Sequence, residues 1–354
     1  MDYYKLFNLE KEPFSNTPDP DFFFRSTRHA ECLQKLEIAI RLRRGLCIVR
    51  GEVGTGKTTL CRQLVRTLSD DENISVYMVL DPGFDRTADF AAAVSQMLAG
   101  RDKALCCTTV AEYKELIKNH LFETGVDNGN TTVLIIDEGQ KLPPGCIEFL
   151  RELLNYETNE EKLLQIVIFA QNEIDDLLAH HPNFADRAAL YHHLKPLDRK
   201  ETSRLIQYRL NTAGSSRKNA AAPKFTPRAA ARIYRLSRGY PRKIINLCHH
   251  VLLLLLVGGQ SRVTPAIVDR AAASLPGVKK GSSSGLTRQK AAVFSAAAVL
   301  LLALIAGAAY TQWPALSATR QNPETLKTEE SISAKPVAPE PEAEKSSKTK
   351  KTET

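Results

Sequence analysis

The stretch VRGEVGTGKTTL at residues 49–60 limits the fold more than any other part of this 354-residue chain. It contains Gly51-x-x-x-x-Gly56-Lys57-Thr58, with an apolar run before it and a helical pattern after it. Glycines allow turns in which successive backbone N–H groups point inward as an anion nest, and a helix starting there adds its positive end. A lysine at that place reaches the β- and γ-phosphates of a nucleotide, and the hydroxyl after it serves a Mg2+ ion. Gly51, Glu52, Val53, Gly54, Thr55, Gly56, Lys57, Thr58 and Thr59 are therefore the candidate phosphate-binding residues, with Thr58 a metal ligand.

A strand–loop–helix unit of this kind needs a parallel sheet around it. The runs LCIV (46–49), ISVYMVL (74–80), TVLIID (132–137) and LLQIVIFA (163–170) are almost continuously apolar, as strands buried on both faces are. LYHHL (190–194) is a weaker fifth. The stretches between them are long enough for crossover helices, so the fold class is α/β with a doubly wound parallel sheet. From Pro227 to Leu275 the pattern is helical only, including VLLLLLV (251–257), which is too short to span a membrane and reads as a buried helix.

TVLIIDEGQKL (132–142) ends a buried strand in an acidic pair. Such a pair sits beside the phosphate loop when the two strands are neighbours. Asp137 is then a metal ligand, and Glu138 orients or deprotonates the attacking water; the plainer alternative is an acidic cap for the next helix. An Asp-Glu pair favours hydrolysis over phosphoryl transfer to a hydroxyl. Gln171 closes the fourth strand, either as an amide that positions the lytic water or as a simple turn residue. Arg187, in NFADRAAL, precedes the fifth strand; it is an arginine finger for a neighbouring subunit, worth ~10³-fold or more in rate, or a surface arginine. Arg242, in SRGYPRKI, opens a helix of the all-helical region, where a guanidinium forks onto phosphates or is merely solvated. Glu138, Lys57, Arg187 and Gln171 form the candidate catalytic set, with Arg242 added to the nucleotide-binding one.

These residues, with YKLFNLEKEPFSNTPDPDFFFRSTRHAECL near the start, GEVGTGKTTLCRQL, IIDEGQKL, HHLKPLDRKET and GYPRKI, make residues 3–275 resemble the AAA+ ATPase family of general secretion pathway protein A and the MSHA-pilus biogenesis ATPase. The resemblance implies ATP and Mg2+ as cofactors, a five-stranded sheet, a helical lid and nucleotide-driven homo-oligomers. It also implies that the N-terminal stretch wraps the adenine side, with His29 either a contact or a structural residue. Two departures stand out. Asn172 follows Gln171 where the family has proline, and only a short polar tail follows the apolar segment, where secretion-type members carry a large peptidoglycan-binding region.

That segment, Ala291–Tyr310, has no charge, whereas a quarter of the whole chain is charged. Twenty such residues rise ~30 Å as a helix, one hydrocarbon thickness. Tyr310 and Trp313 stand at one end, and Lys279, Lys280, Arg288 and Lys290 flank the other, which places the nucleotide domain in the cytoplasm by the positive-inside rule. The expected order is an N-terminal segment (1–45), a P-loop ATPase core (46–215), a helical lid (216–276), a basic flexible linker (277–290), one transmembrane helix (291–313) and a disordered extracytoplasmic tail (314–354). No cleaved signal peptide is expected, because MDYYKLFNLEKEPF has no basic region leading into an apolar run. Seven cysteines, none in a C-x-x-C pair, argue for a reducing compartment and against a disulfide framework or zinc site.

The expected partners are copies of the chain and inner-membrane or envelope assembly components of a secretion, pilus or polysaccharide-export machine, with peptidoglycan a candidate for the tail. The net charge of +8 also suits nucleic acid, as in transposition target-selection ATPases. The membrane segment and the lack of a helix-turn-helix signal argue against that alternative.

Overall fold

The computed structural model describes residues 3–15, 19–214 and 222–275. Five strands, β1 (Leu46–Arg50), β2 (Ile74–Val79), β3 (Thr131–Ile136), β4 (Leu164–Ala170) and β5 (Ala188–His193), form one parallel sheet in the order β2-β3-β4-β1-β5. Each begins and ends within two residues of an apolar run in the sequence. The central strands are buried on both faces because successive side chains alternate between two cores. Cys47, Val49, Val133, Ile135, Val167 and Phe169 pack against helices α1 (Thr27–Arg41) and α2 (Lys57–Ser69). Leu46, Ile48, Leu134, Ile136, Ile166 and Ile168 face the other way. They meet α3 (Thr87–Ala99), α5 (Val110–Phe122), α6 (Pro144–Leu153), α7 (Ile174–His180) and α8 (Pro182–Ala185), with the short α4 (Arg101–Ala104) between α3 and α5.

Four helices make up the all-helical region expected as the lid: α9 (Arg199–Ala213), α10 (Pro227–Ser237), α11 (Pro241–Val257) and α12 (Pro265–Ala273). The last three open on proline, whose missing N–H has no helical partner at that position in any case. A pair of two-residue parallel strands, β6 (Lys224–Phe225) and β7 (Arg262–Val263), ties the loops before α10 and α12. The apolar run 251–257 lies in α11, with Val251, Leu252 and Leu255 buried and Val257 87% exposed at its end.

The lid core does not begin at residue 216. Leu205, Ile206, Leu210 and Ala213 of α9 pack in it, together with Phe7, Leu9, Phe14 and Phe22 from the N-terminal segment. Arg209 fixes that segment: its guanidinium donates to the Pro13 and Ser15 carbonyls, both at 3.1 Å, and lies over the Phe22 ring. Glu201, in the capping box of α9, accepts from the Asp198 N–H and from the Thr27 N–H at the start of α1, each at 3.1 Å. The N-terminal segment and α9 are thus built into the lid.

The linker, transmembrane segment and tail expected over 277–354 lie outside the described residues. Among the described residues, no helix is long and apolar enough to cross a membrane.

Candidate active site

The phosphate loop leaves β1 as a tight curl over the C-terminal edge of the sheet. Gly54 (φ +83°) and Gly56 (φ +101°) take left-handed backbone that residues with a Cβ rarely adopt, and Gly56 is the N-cap of α2. A side chain on Gly56 would stand 3.0 Å from His29 Nε2. That buried ring contacts Ser26 Oγ through Nδ1 at 2.8 Å and lies 3.3 Å from the Thr55 carbonyl. His29 therefore braces the loop from beneath. Lys57 curls back so that its ammonium donates to the Gly51 carbonyl at 2.7 Å and to that of Glu52 at 3.2 Å. Burial lowers the Lys57 pKa, against the opposing pull of Glu138, Asp137, Glu173 and Glu52.

The strand order corrects one expectation. β1 and β3 are not neighbours; β4 lies between them. Two strand spacings, about 9.5 Å, separate their axes, yet the Thr58 hydroxyl at the start of α2 comes near enough to Asp137, at the end of β3, to pull its pKa down. The loop closes the gap by curling across β4, to which it is tied by the Gly51 N–H donating to the Ala170 carbonyl at 3.1 Å. Asp137 is buried, which raises its pKa, while the Thr58 hydroxyl and the Glu138 N–H (2.9 Å) offset part of that rise.

The intervening strand delivers Gln171 between the two motifs. Its Nε2 donates to Glu138 Oε2 at 3.0 Å. Glu138 has left-handed backbone (φ 54°, ψ 35°), and its side chain makes no capping bond to the 3-10 turn Gly139–Lys141 that follows, so it is not a helix cap. Gln140 of that turn also donates to Glu138 Oε2, at 2.6 Å. Sequence reasoning passed over Gln140, although it stands two residues after the expected base in DEGQ.

Arg242, at the first turn of α11, meets the loop from the lid side. Its N–H donates to the Gly54 carbonyl at 3.4 Å, and its neighbour Tyr240 hydrogen-bonds the Glu52 carboxylate through its hydroxyl. Arg187 is elsewhere. It stands just before β5, level with the first residues of β1, about 16 Å of strand from the loop of its own subunit.

Lys57, Thr58, Thr59, Glu138, Gln171 and Arg242 line one cleft of about 610 Å3. Arg62, Gln63 and Arg66 of α2 extend its polar wall, while Phe22, Phe23, Pro241 and Ile245 form an apolar part. A polar, cationic end and an apolar end suit a nucleotide with its phosphates on the loop and its base against the N-terminal segment and lid. A hydroxyl and a carboxylate brought together at Thr58 and Asp137 are hard oxygen donors of the kind Mg2+ takes.

Residues 40–178, which include both motifs and Gln171, match the family described as AAA domain. The chain carries an AAA domain. Over 279 residues it is 32% identical to general secretion pathway protein A of Aeromonas hydrophila, covering 78% of this chain and 49% of that protein. The chain thus spans about half the length of the curated relative it matches, and the AAA+ resemblance read from the sequence is borne out. Solved structures place the AAA domain and lid in a wider fold group. The Aeropyrum pernix ORC2 protein superposes with a TM-score of 0.53 at 14% identity, covering 75% of this chain and 72% of that one. Cdc6p from Pyrobaculum aerophilum gives 0.54 at 17%, covering 74% and 70%. At such identities the likeness is one of fold alone.

Proposed function

We propose that the chain is a Mg2+-dependent ATPase, tethered to the inner membrane, that works as a homo-oligomer in assembling an envelope secretion, pilus or polysaccharide-export machine. The observation that carries the ATPase reading is the convergence of Lys57, Thr58, Glu138 and Gln171 in the cleft that the phosphate loop opens, with Asp137 buried directly beside Glu138. The loop N–H groups from Gly51 to Thr59 and the Lys57 ammonium hold the phosphates, for which Lys57 gives up its bonds to the Gly51 and Glu52 carbonyls. Thr58 and Asp137 would hold Mg2+, which supplies positive charge against the phosphate oxygens.

Glu138 accepts the proton of a water whose oxygen bonds to the γ-phosphorus as the bridging oxygen leaves with ADP. Gln171 orients that water, and Arg242 adds charge from the lid. Arg187, remote from its own cleft, acts on the nucleotide of an adjacent subunit. The secretion context rests on the relative's name and on the apolar segment 291–313. The likeness to the ORC2 and Cdc6p structures, one of fold alone, adds no argument for nucleic acid.

The test compares ATP binding and turnover in wild type, Lys57→Ala and Glu138→Gln. Lys57→Ala should lose nucleotide binding, whereas Glu138→Gln should bind ATP and turn it over ~10²-fold more slowly or worse. Equal turnover by wild type and Glu138→Gln removes Glu138 from the reaction. For the tether, full-length protein should sediment with membranes and a chain ending near Gly281 should not; full-length protein that stays in a detergent-free supernatant refutes it.

A further inference from the structure

The reaction above gives no role to Gln140, which bonds the Glu138 carboxylate. Gln140 bridges the ends of two strands. Its Oε1 accepts from the Gln171 backbone N–H at 2.9 Å, and its Nε2 donates to Glu138 Oε2 at 2.6 Å. A backbone N–H can only donate, so the first bond settles which end of the amide carries oxygen and turns the NH2 end toward the carboxylate. With the bond from Gln171 Nε2, a single oxygen of Glu138 carries two amide donors, one from its own turn and one from β4.

The close approach is built into the turn. A Cβ on Gly139 would stand 2.2 Å from Ile168 Cγ2, so only glycine lets the turn lie on β4 closely enough for Gln140 to reach Gln171. Glu138 sits in left-handed backbone that few non-glycine residues adopt and that persists only where surrounding contacts hold it.

We propose that Gln140 is a positioning residue for hydrolysis, holding the Glu138 carboxylate in register with Gln171 through Oε2, so that Oε1, which makes neither bond, receives the proton of the attacking water. This rests on the ATPase reading and adds a residue to it. Gln140 does not bind nucleotide; it acts through Glu138.

The test measures single-turnover ATP hydrolysis and nucleotide affinity in full-length wild type, Gln140→Met, Gln140→Glu, Glu138→Gln and the double variant Gln140→Met/Glu138→Gln. Gln140→Met should slow hydrolysis by about 10- to 100-fold, the scale of a misplaced catalytic group, with affinity unchanged. Gln140→Glu keeps the shape and the acceptor for the Gln171 N–H but sets a carboxylate against Glu138. It should be slowed at least as much. In the Glu138→Gln background, Gln140→Met should add nothing, because the group it positions is already gone.

Wild-type hydrolysis by Gln140→Glu, or equal losses from Gln140→Met in both backgrounds, would mean that Gln140 only braces the end of β4. Loss of nucleotide affinity in both Gln140 variants would overturn the inference in the same way. If instead Glu138→Gln hydrolyses like wild type, the ATPase assignment falls and takes this inference with it. If Glu138→Gln is impaired and the Gln140 variants are normal, this inference alone falls.

Discussion

Replacing Gly139 with alanine tests whether the placement of one turn sets both stability and chemistry. The added methyl would stand 2.2 Å from Ile168 Cγ2, where carbon atoms rest comfortably at about 3.5–4.0 Å. Ile168 has no room to yield: it is fully buried in the middle of β4, and a β-branched side chain has little χ1 freedom. The turn must therefore lift off β4 by about 1.3–1.8 Å, the difference between those separations. The Gln140–Gln171 bond, now 2.9 Å, then exceeds hydrogen-bond range.

Overpacking of this kind costs about 1–3 kcal/mol. At about 2–4 °C per kcal/mol for a domain of this size, the midpoint of thermal unfolding should fall by about 2–12 °C. Hydrolysis per folded molecule should fall by ~10-fold or more, because Glu138 and Gln171 lose their common register. Calorimetry and single-turnover hydrolysis on the same preparation read both. An unchanged melting temperature would falsify the steric argument, and a lowered one with full hydrolysis would break the link from turn placement to chemistry.

Asp137→Asn should stabilise the nucleotide-free protein, by roughly 0.5–2 kcal/mol, because burial holds the carboxyl above its ordinary pKa and its charged form is worse off folded than unfolded. The same variant should lose the extra thermal stabilisation that Mg2+ adds to ATP; a destabilised variant that still responds to Mg2+ contradicts both halves. Arg187→Ala should bind ATP normally but hydrolyse ~10³-fold more slowly at concentrations where wild type is oligomeric. Mixing it with Glu138→Gln should recover activity where an intact arginine meets an intact acidic pair, and normal turnover by Arg187→Ala alone rules out a finger. Arg209→Met removes the two bonds to the Pro13 and Ser15 carbonyls, so it should cost about 2–3 kcal/mol and expose the N-terminal segment to limited proteolysis. Unchanged protease resistance counts against that anchor.

Much of the site is legible in the sequence, for a local reason. The glycines, Lys57 and Thr58 lie within eight consecutive residues, and the acidic pair follows directly on its strand. Chemistry encoded at short range can be read at short range. The two arginines were legible as candidates but not as placements: Arg242 joins the cleft and Arg187 does not, and a charge in a loop carries no mark of which edge of the sheet it will reach. Gln140 was missed because an amide two residues beyond a carboxylate is ordinary until β4 brings Gln171 within 2.9 Å of it.

The sequence by itself determined the strands, the parallel sheet and the phosphate loop, because an apolar run buried on both faces and a glycine nest each follow from neighbours along the chain. Only the tertiary structure decided that β4 stands between β1 and β3, so that Gln171 falls between the loop and the acidic pair. It alone also decided that α9 and the N-terminal segment complete the lid. Phe7, Leu9, Phe14 and Phe22 are too sparse and irregular to bury one another, and they leave water only where the apolar faces of the lid helices accept them. Burial of that kind depends on surfaces far away in the chain, and no local pattern specifies it.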